Sequence, residues 1–97
     1  MLKGLNIGQT PIKELNVSNN KELEKFIATG SGLENLDLSG LDKLDRLEVR
    51  GDKGIEFSGK LKTLILKGNS KLRTIEMGDN QVKALDIQQA PILYKLS

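Results

Sequence analysis

An apolar-x-x-apolar-x-apolar unit recurs along almost the whole chain and strongly limits what it can fold into. It occurs nine times, first as LKGLNI from Leu2 and IKELNV from Ile12, and last as a truncated LYKL from Leu93. The nine copies define 26 positions, all of them apolar, whereas only ten of the other 71 residues are apolar. This sorting indicates an internal repeat in which stacked copies bury one continuous core.

The spacing between copies divides the repeat into two unequal halves. Successive copies start 10, 11, 10, 11, 17, 11, 10 and 11 residues apart, so one coil has 21 residues. The 17-residue step falls where a 10-residue step is due, which places a seven-residue insertion within GDKGIEFSGK, residues 51–60. We therefore predict a single domain over residues 1–97 with about 4.5 coils.

Each copy ends in an alternation of apolar and polar residues, which predicts a short strand with one buried face. Gly, Asn, Ser, Asp and Pro fill the short segments between copies, which are turns too brief for a helix. The sequence thus predicts a β-rich or all-β fold, a short right-handed parallel β-solenoid with two parallel sheets and little or no helix. One sheet is expected to hold strands at 5–7, 26–28, 47–49 and 75–77, with Leu96 beginning a fifth, and the other at 15–17, 36–38, 64–66 and 85–87.

Polar residues follow many of the strands at the predicted corners. An asparagine that points inward there can bond the backbone of its own and neighbouring turns. We expect this role for Asn20, Asn69 and Asn80. A weaker version is expected from the shorter polar side chains at equivalent corners, Thr10, Ser31 and Asp52.

Composition excludes several classes of function. With 15 Lys and Arg residues against 13 Asp and Glu residues, the net charge is only +2, and no basic run points to nucleic acid. The absence of Cys and His rules out disulfides, thiol nucleophiles, imidazole-based triads and the usual zinc ligands. No apolar run approaches the roughly 20 residues of a membrane span, and no signal-peptide core is visible. We expect no cofactor, no bound metal and no membrane insertion.

The pattern L-x-x-L-x-L followed by x-x-N resembles the leucine-rich repeats. The alternating halves are similar to a bacterial subclass of these repeats, most clearly in IKELNVSNN, LENLDLSG and VKALDI. This resemblance implies a solenoid used for protein binding, often in secreted or surface-attached bacterial proteins. The chain departs from it at Ala28, Val49 and Met77, inward positions where such proteins often carry Cys. No capping segment is recognisable, which also fits a piece of a longer array.

The outward positions of the predicted strands are mostly small or charged, as on a solvated face. Two of them hold an isoleucine, Ile27 in one sheet and Ile65 in the other. An isolated exposed isoleucine is common and needs no function. If either face binds a partner, these two are the expected apolar anchors, with Arg46 and Arg50 as polar neighbours.

Two carboxylates, Glu48 and Glu76, are predicted to be neighbours in one outward column. Paired carboxylates can hydrolyse glycosides or bind Ca²⁺. The alternative, which we favour, is a surface pair relieved by the nearby arginines Arg46, Arg50 and Arg73.

The insertion at 51–60 carries an apolar pair, Ile55 and Phe57, between bends at its glycines. It lacks the spacing of a phosphate-binding loop. Either it is a loop or flap whose apolar pair packs against the core, or it is a presented binding loop. Packing is the favoured interpretation.

These observations favour a non-enzymatic module that binds an unidentified protein partner. The alternative is a structural element that associates end to end, or a fragment of a longer array, and an enzyme ranks third. The candidate partner-binding residues are Ile27, Arg46, Glu48, Arg50, Ile55, Phe57, Ile65 and Lys67.

Overall fold

The computed structural model describes residues 2–78, 80, 84–88 and 95–96, the last two ranges as backbone strands. The repeat produces strands of two to five residues, and no helix occurs within these ranges. In chain order they are β1 (Gly4–Asn6), β2 (Lys25–Ile27), β3 (Asn35–Asp37), β4 (Arg46–Glu48), β5 (Thr63–Lys67), β6 (Thr74–Glu76), β7 (Ala84–Gln88) and β8 (Lys95–Leu96).

The strands form two parallel sheets, as the 10- and 11-residue alternation predicts. One sheet has five strands in the order β1-β2-β4-β6-β8, and the other has three in the order β3-β5-β7. Every pairing is parallel and unstaggered, so that Leu5, Phe26, Leu47, Ile75 and Leu96 lie in one column. The predicted β-rich, two-sheet, helix-free architecture is confirmed. Most strands begin one residue earlier than the sequence suggested.

Both sheets bury their inward side chains in one shared core. Phe26, Leu47 and Ile75 from the five-stranded sheet and Leu36 and Leu64 from the other are at most 2% exposed. Burying such a side chain contributes roughly 1.5–3 kcal/mol. The outward residues between them are exposed or half-buried, so the period-two alternation sets which side chains face solvent.

Two of the predicted corner asparagines hold neighbouring coils together. The Asn69 amide is buried and donates to the carbonyls of Leu38 and Leu41, 2.8 and 3.1 Å away. The Asn80 amide donates to the Val49 carbonyl at 2.6 Å, one coil back. Each bond joins the asparagine to a backbone carbonyl of the preceding coil, so the side chain links two turns.

The other predicted corner residues behave differently. Thr10 donates to the carbonyl of Ile7 at 2.7 Å, the weaker contact that was expected. The side chain of Asp52 accepts a bond from the backbone amide of Gly54 at 2.9 Å, which is likewise a contact within its own turn. Asn20 is half-buried and makes no side-chain hydrogen bond with the described residues. It lies in the first coil of the described structure, where no earlier coil supplies carbonyls to it.

The predicted strand at 15–17 is wrong. At the equivalent level of the five-stranded sheet, Ile7 donates to Ile27 and Gln9 donates to Thr29, and both bonds are shorter than 3 Å. The matching amides of Val17 and Asn19 make no backbone bond to β3 or to the residues after it, in a region that the structure describes in full. Two backbone bonds still connect the first coil to the segment just before β3. The Glu34 amide donates to Lys13, and the Gly32 amide donates to Thr10. We call this gap between residues 14–18 and β3 the open junction.

The insertion leaves the stacking of both sheets unchanged. β4 pairs directly with β6, and β3 pairs directly with β5, although residues 51–60 lie between these partners in the chain. The extra residues therefore leave the stack at a corner and return to it in phase.

Candidate functional site

The five-stranded sheet presents three of the predicted partner-binding residues side by side. The register pairs Ile27 of β2 with Glu48 of β4, and Lys25 with Arg46 in the adjacent column. Ile27 is half-buried, and the Arg46 guanidinium lies 3.7 Å from a carboxylate oxygen of Glu48. We call this patch of Lys25, Ile27, Arg46 and Glu48 the Ile27 face.

Glu76 continues the Glu48 column on β6, as predicted, because the register pairs these two residues directly. A hydrogen bond between their side chains, together with burial and charge repulsion, raises the pKa of Glu48 above its ordinary value. Arg46 and Lys25 act in the opposite direction. Two adjacent carboxylates resist ionising together, so the pair tends to retain one proton as the pH falls.

Arg73 has a second carboxylate beside it. Its Nε and Nη2 atoms donate to the two carboxylate oxygens of Asp45, at 2.7 and 2.6 Å. That bidentate contact lowers the pKa of Asp45. Arg46 is in ion-pair contact with Glu48, and Arg50 lies exposed two residues beyond the end of β4.

The insertion folds into two consecutive turns. Ile55 donates from its backbone to Asp52 at 2.9 Å, and Ser58 donates to Ile55 at 3.1 Å. The buried Ser58 hydroxyl accepts a bond from the Asp52 amide at 2.7 Å, which closes the loop at its base. The segment forms no local strand, although the Ile-Glu-Phe alternation allowed one.

The two apolar residues of the insertion are not buried alike. Ile55 is half-buried, and its Cδ1 atom would lie 3.1 Å from a β-carbon added to Gly30. Gly30 also has a φ of 74°, so both its conformation and its neighbour require glycine. Phe57 is 37% exposed and is the more accessible of the two, so it can also contact a partner.

The remaining predicted residues, Ile65 and Lys67, lie on the other sheet. Ile65 is half-buried in β5, and Lys67 is exposed at its end. Ile65 borders a groove of about 670 Å³ that lies over the open junction. The residues lining it come from the first coil, β3 and β5, and they are Glu14, Leu15, Asn16, Ser18, Asn35, Leu36, Asp37, Ser39, Thr63 and Ile65.

The sequence pattern did not predict this groove. Its signal was available in the outward positions of the second sheet, where Asn16, Asn35 and Asp37 are poor strand formers. The apolar positions of residues 12–17 fit the repeat. They therefore predicted a strand there and gave no sign that the first coil does not pair with β3.

Throughout the part of the chain that the structure describes, no group of three or more His, Cys, Asp or Glu side chains is arranged to hold a metal ion. No helix in the same part is long and apolar enough to cross a membrane.

Comparison of the chain with protein-family models, with curated proteins and with solved structures finds no match. The functional hypotheses therefore depend on geometry. The eight candidate residues fall into three regions. Ile27, Arg46 and Glu48 lie together, with Arg50 just beyond them. Ile55 and Phe57 lie in the insertion, while Ile65 and Lys67 lie on the three-stranded sheet.

Proposed function

We propose that the chain is a non-enzymatic protein-interaction module, built as a short right-handed parallel β-solenoid of the leucine-rich-repeat type. The alternating sheets, the 21-residue coil and the corner asparagines support this architecture. In such an architecture each coil contacts only its neighbours, and the outward columns form an extended surface.

The observation that carries the proposal is the Ile27 face. A half-buried isoleucine lies beside an arginine and a carboxylate on a rigid, hydrogen-bonded sheet. Protein interfaces combine such an apolar centre with arginine and a polar rim. Because the strands fix these side chains in register, a partner would meet a surface that needs little rearrangement.

The experiment compares capture of a partner by the wild-type protein and by Ile27→Asp. Extracts and secreted material from the source cells would be passed over the immobilised proteins, and bound proteins would be quantified by mass spectrometry. We expect Ile27→Asp to reduce recovery of the specific partner at least tenfold, because an apolar anchor becomes a charge.

Ile65→Asp is the comparison variant on the other sheet, since both isoleucines are half-buried, outward and in mid-column. Melting temperatures must stay within a few degrees of the wild type for both variants. Equal recovery by wild type and Ile27→Asp, or loss with Ile65→Asp alone, contradicts the Ile27 face as the binding surface.

The second candidate is a structural element that associates through its ends. The first coil favours it, because Leu2 is 44% exposed and Leu5, Ile7 and Ile12 are only half-buried. β1 also has a sheet neighbour on one side only within the described structure. An unpaired strand edge beside apolar side chains is a template for pairing with another chain.

Light scattering behind a sizing column tests this candidate. Mass should rise with protein concentration, and Leu2→Lys should abolish that rise. Phe57→Lys is the control, because Phe57 is the other exposed large apolar residue among those that the structure describes, at 37%. A constant monomer mass across concentrations contradicts end-to-end association.

A further inference from the structure

The open junction leaves one edge of β3 without a strand partner. In a parallel sheet, successive residues direct their backbone groups to opposite neighbours. The Leu38 amide donates to Ile65, and the Glu34 carbonyl accepts from Thr63. The even-numbered residues of this segment, Leu36 included, therefore direct their ladder bonds toward β5. Asn35 and Asp37 therefore face the first coil, where their amides and carbonyls meet no backbone partner in the described structure.

The same edge is closed at four comparable levels of the described structure. Residues 7, 28, 38 and 49 each donate to the neighbouring coil at 2.7–3.0 Å, and Val17 is the member of this series that does not. Val17 is nevertheless 2% exposed, so the first coil still packs on the core although its backbone forms no ladder with β3. The open junction is therefore a missing backbone ladder over an intact core.

The groove over this gap is acidic and partly apolar. Its lining holds two carboxylates, Glu14 and Asp37, and no cationic side chain. One oxygen of Asp37 accepts bonds from the amide and hydroxyl of Ser39, and these bonds lower the pKa of Asp37, so the side chain is ionised near neutral pH. Lys67 is close enough to favour that charge further.

We infer that the groove of the open junction binds an extended, basic peptide segment of a partner protein. Backbone groups of Asn35 and Asp37 pair with the peptide main chain, in the manner of strand addition. Glu14 and Asp37 attract its lysine or arginine side chains, and Leu15 and Ile65 accept an apolar side chain between them. This inference rests on the proposed interaction function and assigns it a second surface and a partner chemistry.

The dimensions fit a short segment. The extended part of this edge is β3, Asn35–Asp37, which spans about 10 Å, the length of three peptide residues at roughly 3.3 Å each. A volume of about 670 Å³ lies in the range of 300–1,000 Å³ that is typical of binding sites.

The test uses three synthetic probes and the full chain. The first is a blocked heptapeptide of alternating lysine and valine, and the second replaces every lysine with glutamate. The third is the basic peptide with its valine nitrogens methylated, which removes those main-chain donors. Amide chemical shifts of the isotopically labelled protein report where each probe binds, and their titration gives Kd.

We expect the basic peptide to change the amide chemical shifts of residues 14–18 and 35–39. The acidic peptide should bind with a Kd at least tenfold higher. The methylated peptide should also bind at least fivefold more weakly. A Glu14→Gln, Asp37→Asn double variant should weaken binding of the basic peptide at least fivefold. Both substitutions keep the side-chain shape, and the amide oxygen introduced at position 37 can still accept the Ser39 bonds. The control Glu56→Gln removes an exposed carboxylate from the insertion and should change Kd less than twofold.

Several results overturn the inference. Equal affinity for the basic and acidic peptides would show that the carboxylates of the groove do not select the ligand. Amide shifts confined to Glu48 and Glu76 would place the peptide on the five-stranded sheet, beside the Ile27 face, and not in the groove. Concentration-dependent shifts at the groove without peptide make a second copy the occupant. Absence of any shift also rejects the groove. The proposed interaction function is judged separately, by the Ile27→Asp capture experiment.

Discussion

The first coil contributes a half-repeat to each sheet, and the two halves differ. LKGLNI from Leu2 forms β1 and pairs fully with β2, whereas IKELNV from Ile12 forms no strand and separates from β3. Both place apolar side chains on the core. In both, an asparagine accepts a bond from an amide two residues later, at 2.9 Å.

The difference teaches that apolar spacing and strand pairing are separate requirements. The spacing of apolar residues determines which side chains are buried in the core, and both half-repeats have this spacing. Pairing also needs outward residues that suit a pleated surface. β2 offers Ile27 opposite Asn6, whereas β3 would set Asp37 opposite Asn16. Where β-branched residues occupy the outward columns, as Thr63 and Ile65 do in β5, the second sheet pairs over five residues.

The largest expected effect concerns the core beneath the open junction. Leu36→Asp should unfold the chain, because it buries an unpaired carboxylate in the shared core. Leu15→Asp should leave a folded protein, since Leu15 is half-buried and borders the groove. Circular dichroism melts of both variants test this contrast. If Leu36→Asp melts like the wild type, the inward assignment of β3 is wrong.

The corner asparagines sharpen the comparison between first and later coils. Asn69→Ala removes a donor shared by two carbonyls and should reduce the free energy of unfolding by about 2–3 kcal/mol. Asn20→Ala should cost less than about 1 kcal/mol, because its side chain bonds to nothing in the described structure. Urea denaturation measures both. Equal losses would mean that the Asn69 bonds contribute nothing specific.

Hydrogen exchange compares the two junctions directly. The amide of Val17 should exchange at least tenfold faster than that of Ile7, which donates to Ile27 at 2.8 Å. Ile7 is the less buried of the two residues, so burial alone predicts the reverse order. Exchange under native conditions, read residue by residue, decides between these outcomes. Slower exchange at Val17 would show that the junction is closed in solution.

The smallest expected effects have opposite signs on the two faces. The pKa of Glu48 is raised by folding, so its stabilising contribution is present at low pH and is lost as pH rises through the folded value. Near pH 7 both carboxylates repel, and Glu48→Gln should raise the melting temperature by about 1–3 °C. That gain should disappear near about pH 4, where the wild-type pair retains protons.

Asp37 in the groove behaves in the other way. Its pKa is lowered by folding, so its contribution is present above the unfolded value and is lost as pH falls through the folded one. Asp37→Asn should lower the melting temperature near pH 7 by about 1–2 °C, and the two proteins should converge below about pH 3. Melting curves between pH 2.5 and 8 for both variants test the signs. A shift of the same sign in both at pH 7 would contradict the assigned pKa directions.

Much of the fold could be predicted from the sequence because the repeat is nearly invariant. The 21-residue period placed strands from both sheets in the correct columns, and the outward residues Ile27, Arg46 and Glu48 follow from that register. The hydrogen bonds of the corner asparagines were partly predictable, because a buried asparagine side chain after a strand needs backbone partners. Asn69 and Asn80 bond as expected, while Asn20 has no earlier coil beside it in the described structure.

The candidate sites were less accessible to sequence reasoning. The bidentate contact of Arg73 with Asp45 depends on side-chain directions within a few ångströms, which periodicity does not specify. The exposure of Phe57 depends on how two turns orient the insertion. The groove arises from the failure of one backbone ladder, and apolar spacing carries no information about such a failure.

The insertion also separates chain length from stacking. Because β4 meets β6 and β3 meets β5 across it in perfect phase, residues 53–57 can change in number without altering any layer above or below. Closing a longer loop is entropically mild, since each doubling of length costs only about 0.6 kcal/mol. The Asp52–Ser58 bond marks the two points where new sequence can be joined. This corner is thus a natural graft point, where a reporter or recognition peptide can be displayed on an unchanged scaffold.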